Sequence, residues 1–153
     1  MEVKIVHFPE TRVAALEHYG PPENEHESAK KLVEWRIANK MFGEKYQSYG
    51  VHYTNPHTAA PHQHRVDFCI SVTEEVSPNP QQVVNKSIPG GRCVVARHFG
   101  SRDNVTVAKH LFEQWLPKSG ESLRNFPIFF HYINVGPNIK PEEMITDVYL
   151  PIR

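Results

Sequence analysis

Apolar residues along this chain fall mostly in short alternating runs separated by proline and glycine, and only two stretches repeat them at helical spacing. Glu2 to Phe8 is a β-rich run, and Pro9-Glu-Thr makes a turn after it. Arg12 to Tyr19 reads as a second strand that Gly20-Pro-Pro stops. From about Glu25 to Phe42, Ala29, Leu32, Val33, Ile37 and Met41 trace one helical stripe, with Gly43 as its stop. Tyr49 to Tyr53 and Val66 to Val72 are two further strands, joined by a loop rich in Pro and His. The same order then returns. Val83 to Ile88 and Arg92 to Phe99 are strands around a Pro-Gly-Gly turn, and a helix starts near Asn104 with Asp103 as its cap. Ala108, Leu111, Phe112 and Trp115 form its stripe, Pro117 marks its end, and Phe129 to Ile133 and Ile145 to Ile152 close the chain as strands.

The recurrence extends to individual residues. An offset of 80 lays the segment from Pro9 to Gly20 on that from Pro89 to Gly100, so that Arg12 meets Arg92, His18 meets His98 and Tyr19 meets Phe99. Trp35 then meets Trp115, and Asp67 meets Asp147, without a gap. An internal duplication follows, with residues 1–80 and 81–153 as its two repeats. The fold predicted is α+β: tandem, pseudo-twofold ββαββ repeats forming a curved, mainly antiparallel sheet with two helices on one face.

Alternation along strands sorts residues onto the two sides of that sheet. Val148 and Leu150, with Phe68 and Ile70, suit the side the helices cover. The other parity collects Asp147 with Tyr149, Asp67 with Cys69, Glu17 with Tyr19, and Arg97 with Phe99. Phe130 and Tyr132 are placed with this second set, and so are their partners Gly50 and His52. Aromatic rings beside a few charges are the usual lining of a small-molecule groove. Such rings also pack on one another or on a second subunit, and alternation does not choose between these outcomes.

Composition narrows the function without naming it. Seventeen basic residues balance seventeen acidic ones, so the chain has no cationic excess of the kind that phosphate backbones require. No apolar run is long enough to span a bilayer, and the N-terminus does not read as a signal peptide. Cys69 and Cys93 lie far apart in apolar alternating segments, as buried, reduced thiols of a cytoplasmic protein would. The ten histidines raise a metal reading in which His62 and His64 share an ion with His52 or His57 completing the site, but no cysteine or carboxylate lies close in sequence and the loop reads as solvated. His18 and His98 share parity with Leu16 and Ala96, so both are expected against the helix layer. A catalytic role beside Cys69 or Cys93 is the weaker alternative.

Taken together, these segments resemble the GyrI-like family, also seen as the effector-binding domain of AraC-type and MerR-type regulators. The resemblance rests on Phe8-Pro-Glu-Thr-Arg-Val-Ala-Ala-Leu-Glu-His-Tyr-Gly-Pro-Pro and Ile88-Pro-Gly-Gly-Arg-Cys-Val-Val-Ala-Arg-His-Phe-Gly. It continues through Trp115-Leu-Pro-Lys-Ser-Gly, Pro127-Ile-Phe-Phe-His-Tyr-Ile-Asn and Pro141-Glu-Glu-Met-Ile-Thr-Asp-Val-Tyr-Leu-Pro-Ile. It implies a ligand groove between the repeats that takes apolar, often cationic or aromatic, small molecules. Family members often carry Phe-Glu-x-Tyr in the penultimate strand, with the Glu facing the groove, whereas this chain reads Phe129-Phe-His-Tyr132. Phe130 therefore replaces the carboxylate that would neutralise a cationic ligand. Some members hydrolyse reactive drugs with that Glu, so turnover is not expected here.

The function predicted is a stand-alone small-molecule-binding protein without a DNA-binding segment of its own. It requires no cofactor and no metal. An aromatic or amphipathic ligand would lie against Tyr19, Phe99, Phe130, Tyr132 and Tyr149, with His52 and Asp147 as polar contacts and Cys69 and an edge of Trp115 nearby. The alternatives are a xenobiotic hydrolase and a module that modulates a protein partner such as DNA gyrase.

Overall fold

The computed structural model describes all residues from Met1 to Arg153. Eight strands form: β1 (Val3–Phe8), β2 (Thr11–Tyr19), β3 (Ser48–His52), β4 (Arg65–Ser71), β5 (Val84–Ile88), β6 (Gly91–Phe99), β7 (Phe129–Tyr132) and β8 (Ile145–Pro151). With helix α1 (Glu25–Ala38) and a helical segment over 106–119, the fold is α+β, in the order the hydrophobic pattern predicts.

The chain divides into two compact units. One comprises 11–88, and the other joins 1–10 to 89–153. In the first, the strand order is β3-β4-β2-β5; in the second it is β1-β6-β8-β7, and every pairing among these is antiparallel. The leading strand of each half therefore pairs in the unit that holds the rest of the other half. At the return of the second unit, the Pro89-Gly90-Gly91 turn passes close to the end of β1. A Cβ on Gly90 would lie 2.8 Å from the Glu10 nitrogen, so this crossing admits only glycine.

Each unit seats its helix on one face of its sheet. Ala14, Leu16 and Ile70 bury against Trp35, with Leu32 beside them. Val94, Ala96, Val148 and Leu150 bury against Val107 and Leu111, with Trp115 and Phe130 packed at the margin. Val148, Leu150 and Ile70 thus hold the covered face expected of them.

Three local expectations are corrected. Helix α1 ends at Ala38 rather than near Phe42, because Lys40 turns left-handed at φ 54° ahead of Gly43. Its Val33 and Ile37 stay more than half exposed, since the helix seats on the Leu32–Trp35 side instead. The second helical segment begins at Thr106 with Val105 as its cap residue, not Asp103, and it runs through Pro117. It is α-helical over Thr106–His110, π-helical over Leu111–Trp115 and α-helical again over Leu116–Ser119, closing at Gly120 with φ 75°. Proline cannot give an N–H to the preceding turn and crowds its carbonyl, and a widened turn just before Pro117 accommodates both effects.

Candidate functional site

Strand register decides which of the expected site residues share a surface. Phe130 lies opposite Val148 and Tyr132 opposite Thr146, while Phe129 faces Tyr149 and His131 faces Asp147. Directly opposed residues point the same way. Phe130 and Tyr132 therefore stand on the helix-covered face, not with Asp147 and Tyr149 as parity alone had placed them. The same holds in the first unit, where His52 lies opposite Val66 and shares the side of Ile70 and Leu16. Two consecutive phenylalanines at 129 and 130 give alternation nothing to discriminate, and only pairing with β8 resolves them.

The nine candidates thus divide. Trp115, Phe130 and Tyr132 lie on the helix side of the second unit, and His52 on the helix side of the first. Tyr19, Cys69, Phe99, Asp147 and Tyr149 lie on the opposite faces.

On the helix side of the second unit, Phe130 and Tyr132 are half-buried and meet edge-to-face, with ring centroids 6.5 Å apart. The Arg102 guanidinium covers Tyr132 at 4.9 Å from the ring centroid. Arg102 Nε donates to Thr146 Oγ1 at 2.8 Å, and Nη2 donates to the carbonyl oxygens of Ile145 at 2.8 Å and Asn134 at 3.0 Å. Alternation could not reveal Arg102, because it sits in the turn after β6 where the matching residue of the first half is Pro22.

The helix side of the first unit is polar in a different way. His64, expected in a solvated loop, is buried; its Nε2 lies 2.7 Å from Glu25 Oε2 and its Nδ1 2.8 Å from Thr54 Oγ1. His18 is also buried, 2.7 Å from the Ser28 hydroxyl of α1, with its ring centroid 5.9 Å from that of His64. His18 and His98 sit against the helix layer as expected. Burial, reinforced by neighbouring His64, pulls the pKa of His52 down to about 4, so its ring is neutral at physiological pH.

The opposite faces are largely self-satisfied. Asp67, 1% exposed, accepts from Lys86 Nζ at 2.8 Å and from the Tyr53 hydroxyl at 3.0 Å. Lys86 also reaches Glu17 at 2.9 Å, and Arg65 stacks on Tyr53 at 3.9 Å and on Tyr19 at 5.1 Å. Burial and the adjacent Asp67 raise the pKa of the buried Cys69 thiol, the reverse of what a nucleophile needs. Lys86 and Arg65 are missing from the sequence-based site. Lys86 left one trace: it is the single charge on the parity of Val84 and Ile88.

In the second unit, Tyr149 stacks parallel on Phe129 at 5.1 Å, and Phe8 meets both rings edge-on at 4.9 and 5.2 Å. These rings pack on one another, one of the outcomes that alternation left open. Arg97 grips Asp147 through two bonds of 2.7 and 3.1 Å, so this carboxylate is engaged and faces away from Phe130. Tyr19 and Phe99, at matching strand ends, are 63% and 70% exposed, too open to enclose a ligand.

No group of three or more His, Cys, Asp and Glu side chains is placed to hold a metal. No helix is long and apolar enough to cross a membrane. A shallow depression of about 330 Å³ follows Thr106, Lys109, His110, Glu113 and Gln114 along one helical surface and includes none of the candidate residues.

Each unit is an antiparallel sheet with a helix seated on one face and polar and aromatic groups beside it, an α+β effector-binding architecture. The chain belongs to the GyrI-like small molecule binding domain family, whose model matches residues 1–153. It is 37% identical to the probable transcriptional regulator YgiV of Escherichia coli K12, over 99% of this chain and 96% of that protein. It is 28% identical to a DNA gyrase inhibitor of Erwinia billingiae, over 99% of this chain and 97% of the relative. Among solved structures, the EcmrR C-terminal domain superposes with a TM-score of 0.77 at 16% identity, covering 99% of this chain and 97% of that one. That likeness speaks for the fold.

Proposed function

We propose that this protein binds an aromatic or amphipathic small molecule on the helix-covered side of its second unit. In this reading Phe130 and Tyr132 are the main contacts, and an edge of Trp115 completes the aromatic surface. The observation that carries it is the half-buried, edge-to-face pair of Phe130 and Tyr132 on the helix-covered side, beside Trp115 at the margin of the core. Rings so placed offer apolar area without being consumed by the core. The protein acts in the cytoplasm, by sequestering its ligand or by altering a partner's activity. Phe130, at a position where a carboxylate would serve hydrolysis, favours binding over turnover.

A thermal-shift panel of aromatic compounds tests this reading. A ligand at 100 times its dissociation constant stabilises the fold by about 2.7 kcal/mol, enough to register. Tyr132→Ala is expected to weaken any hit about tenfold while melting within a few degrees of the wild type. An unchanged affinity removes Tyr132 from the site, and a panel silent throughout removes the binding reading. The name of the Erwinia billingiae relative favours a gyrase-modulating role as the second reading. A supercoiling assay unaffected by excess protein would dispose of it.

A further inference from the structure

Arg102 sets a charged side chain against the Phe130–Tyr132 surface, and its hydrogen bonds are unusual for a half-buried cation. All of them go to neutral oxygens: the Thr146 hydroxyl, the carbonyl oxygens of Ile145 and Asn134, and the Asn134 side-chain amide oxygen at 3.3 Å. Guanidinium groups away from bulk water are ordinarily paired with a carboxylate, in two-point contact where geometry allows. Arg97 on the other face of this same sheet shows that arrangement with Asp147. Arg102 has no such partner. Burial lowers its pKa with only the nearby Tyr132 pulling the other way, as befits a cation lacking a counter-charge. It remains protonated at any physiological pH.

The bonds also fix how the group is presented. Nε and Nη2 are committed to β8 and to the turn after β7, which lock the plane of the fork over Tyr132. Nη1 has no protein acceptor, and it is not among the buried polar atoms left unsatisfied, so its donors reach solvent. A rigid, positively charged donor edge therefore lies next to two half-buried rings.

From this we propose that Arg102 Nη1 is an anion subsite, and that the ligand of this surface is an aromatic acid, a carboxylate or sulfonate whose rings lie on Phe130 and Tyr132. The inference rests on the small-molecule reading above and adds the charge of the ligand to it. Thr146, Asn134 and the Ile145 carbonyl serve as positioning groups that hold the fork, and the acid completes its charge balance. A cationic ligand is disfavoured at this rim by like-charge repulsion.

The test uses probes that share a ring skeleton and differ in charge. Fluorescence titration of the full chain compares 8-anilinonaphthalene-1-sulfonate with neutral N-phenyl-1-naphthylamine, and tetraphenylphosphonium serves as the cationic arm. The sulfonate is expected to bind at least about tenfold more tightly than its neutral analogue at low salt, and the margin should shrink as salt is added. Arg102→Gln should abolish the sulfonate's advantage over the neutral probe, whereas loss of a purely structural arginine would weaken both probes alike and keep the ratio. Should Arg102→Gln lose its cooperative melt, the Arg102 Nε–H resonance of the wild type takes its place, and it must shift on titration with the sulfonate. Equal affinity for sulfonate and neutral probe, a preference for the phosphonium, a preference insensitive to Arg102→Gln, or a stationary Nε–H resonance each overturns the anion subsite alone. Failure of every probe to bind overturns the small-molecule reading and the subsite with it.

Discussion

The two halves of this protein place the same elements in the same order, yet they use matched positions in opposite ways. In the unit of 11–88, polar groups on both sides of the sheet close on one another: Glu25 with His64 on one side, and Lys86, brought in by β5 of the second repeat, with both Asp67 and Glu17 on the other. In the second half, Arg97 and Asp147 form one half-exposed pair, while Arg102 remains without a carboxylate beside Phe130 and Tyr132. The backbone scaffold is common to both. Thr54 Oγ1 accepts the Arg65 N–H at 2.9 Å, and at the matching place Asn134 Oδ1 accepts the Ile145 N–H at 2.8 Å. On this shared closure one unit pairs the Lys86 cation with carboxylates, while the other holds the Arg102 cation on neutral oxygens. The lesson is that ligand chemistry is to be sought where a cation is left without a carboxylate, since a fully paired network has little left to offer a ligand.

The contrast breaks most sharply at Asp67. Its carboxylate is buried and holds Lys86 and the Tyr53 hydroxyl, so Asp67→Ala leaves a half-buried cation short of its partner. The expected loss is about 3 kcal/mol in denaturant unfolding, and a loss below about 1 kcal/mol would mean that the network is ornamental.

A smaller effect comes from His52, whose matching position in the second half is Tyr132. Its folded-state pKa of about 4 lies below the ordinary 6.5. The unfolded chain therefore binds this proton more readily, and stability falls as pH drops from about 6.5 towards 4, then levels off. The loss is on the order of 2 kcal/mol, reduced from the full shift because the ring is only half-buried. Melting temperature against pH should flatten across that window in His52→Asn; an unaltered profile would assign the acid sensitivity to other groups.

The smallest effect is expected at Arg97. Its side chain is 48% exposed, so its pair with Asp147 is screened by solvent despite the two-point geometry. Arg97→Ala should cost less than about 1 kcal/mol, and that cost should vanish in high salt. A cost comparable to that of Asp67→Ala would erase the distinction between the halves.

The elements were legible because each rests on a local cause. Alternation marked the strands, apolar residues at helical spacing from Ala29 to Met41 and from Ala108 to Trp115 marked the helices, and Pro-Gly-Gly marked a tight return. The helix running through Pro117 was not legible, because a proline ordinarily ends a helix and nothing in the sequence announces the widened turn that tolerates it. The faces were legible in part: Phe130, Tyr132, Trp115 and His52 lie on helix-covered sides, whereas the five residues grouped with them by parity lie on the opposite faces.

The sequence by itself determined the order of the elements, the parity within each strand and the residue types available to a ligand, because these follow from backbone periodicity and turn chemistry over a few residues. The tertiary structure decided which parity the helices cover and which charges find a partner. Alternation defines two faces without labelling them, and only the pairing of β7 with β8 turns Phe130 towards the helix side. The partners of His64, Lys86 and Arg102 lie 39, 19 and 44 residues away at Glu25, Asp67 and Thr146, separations that only the folded chain closes.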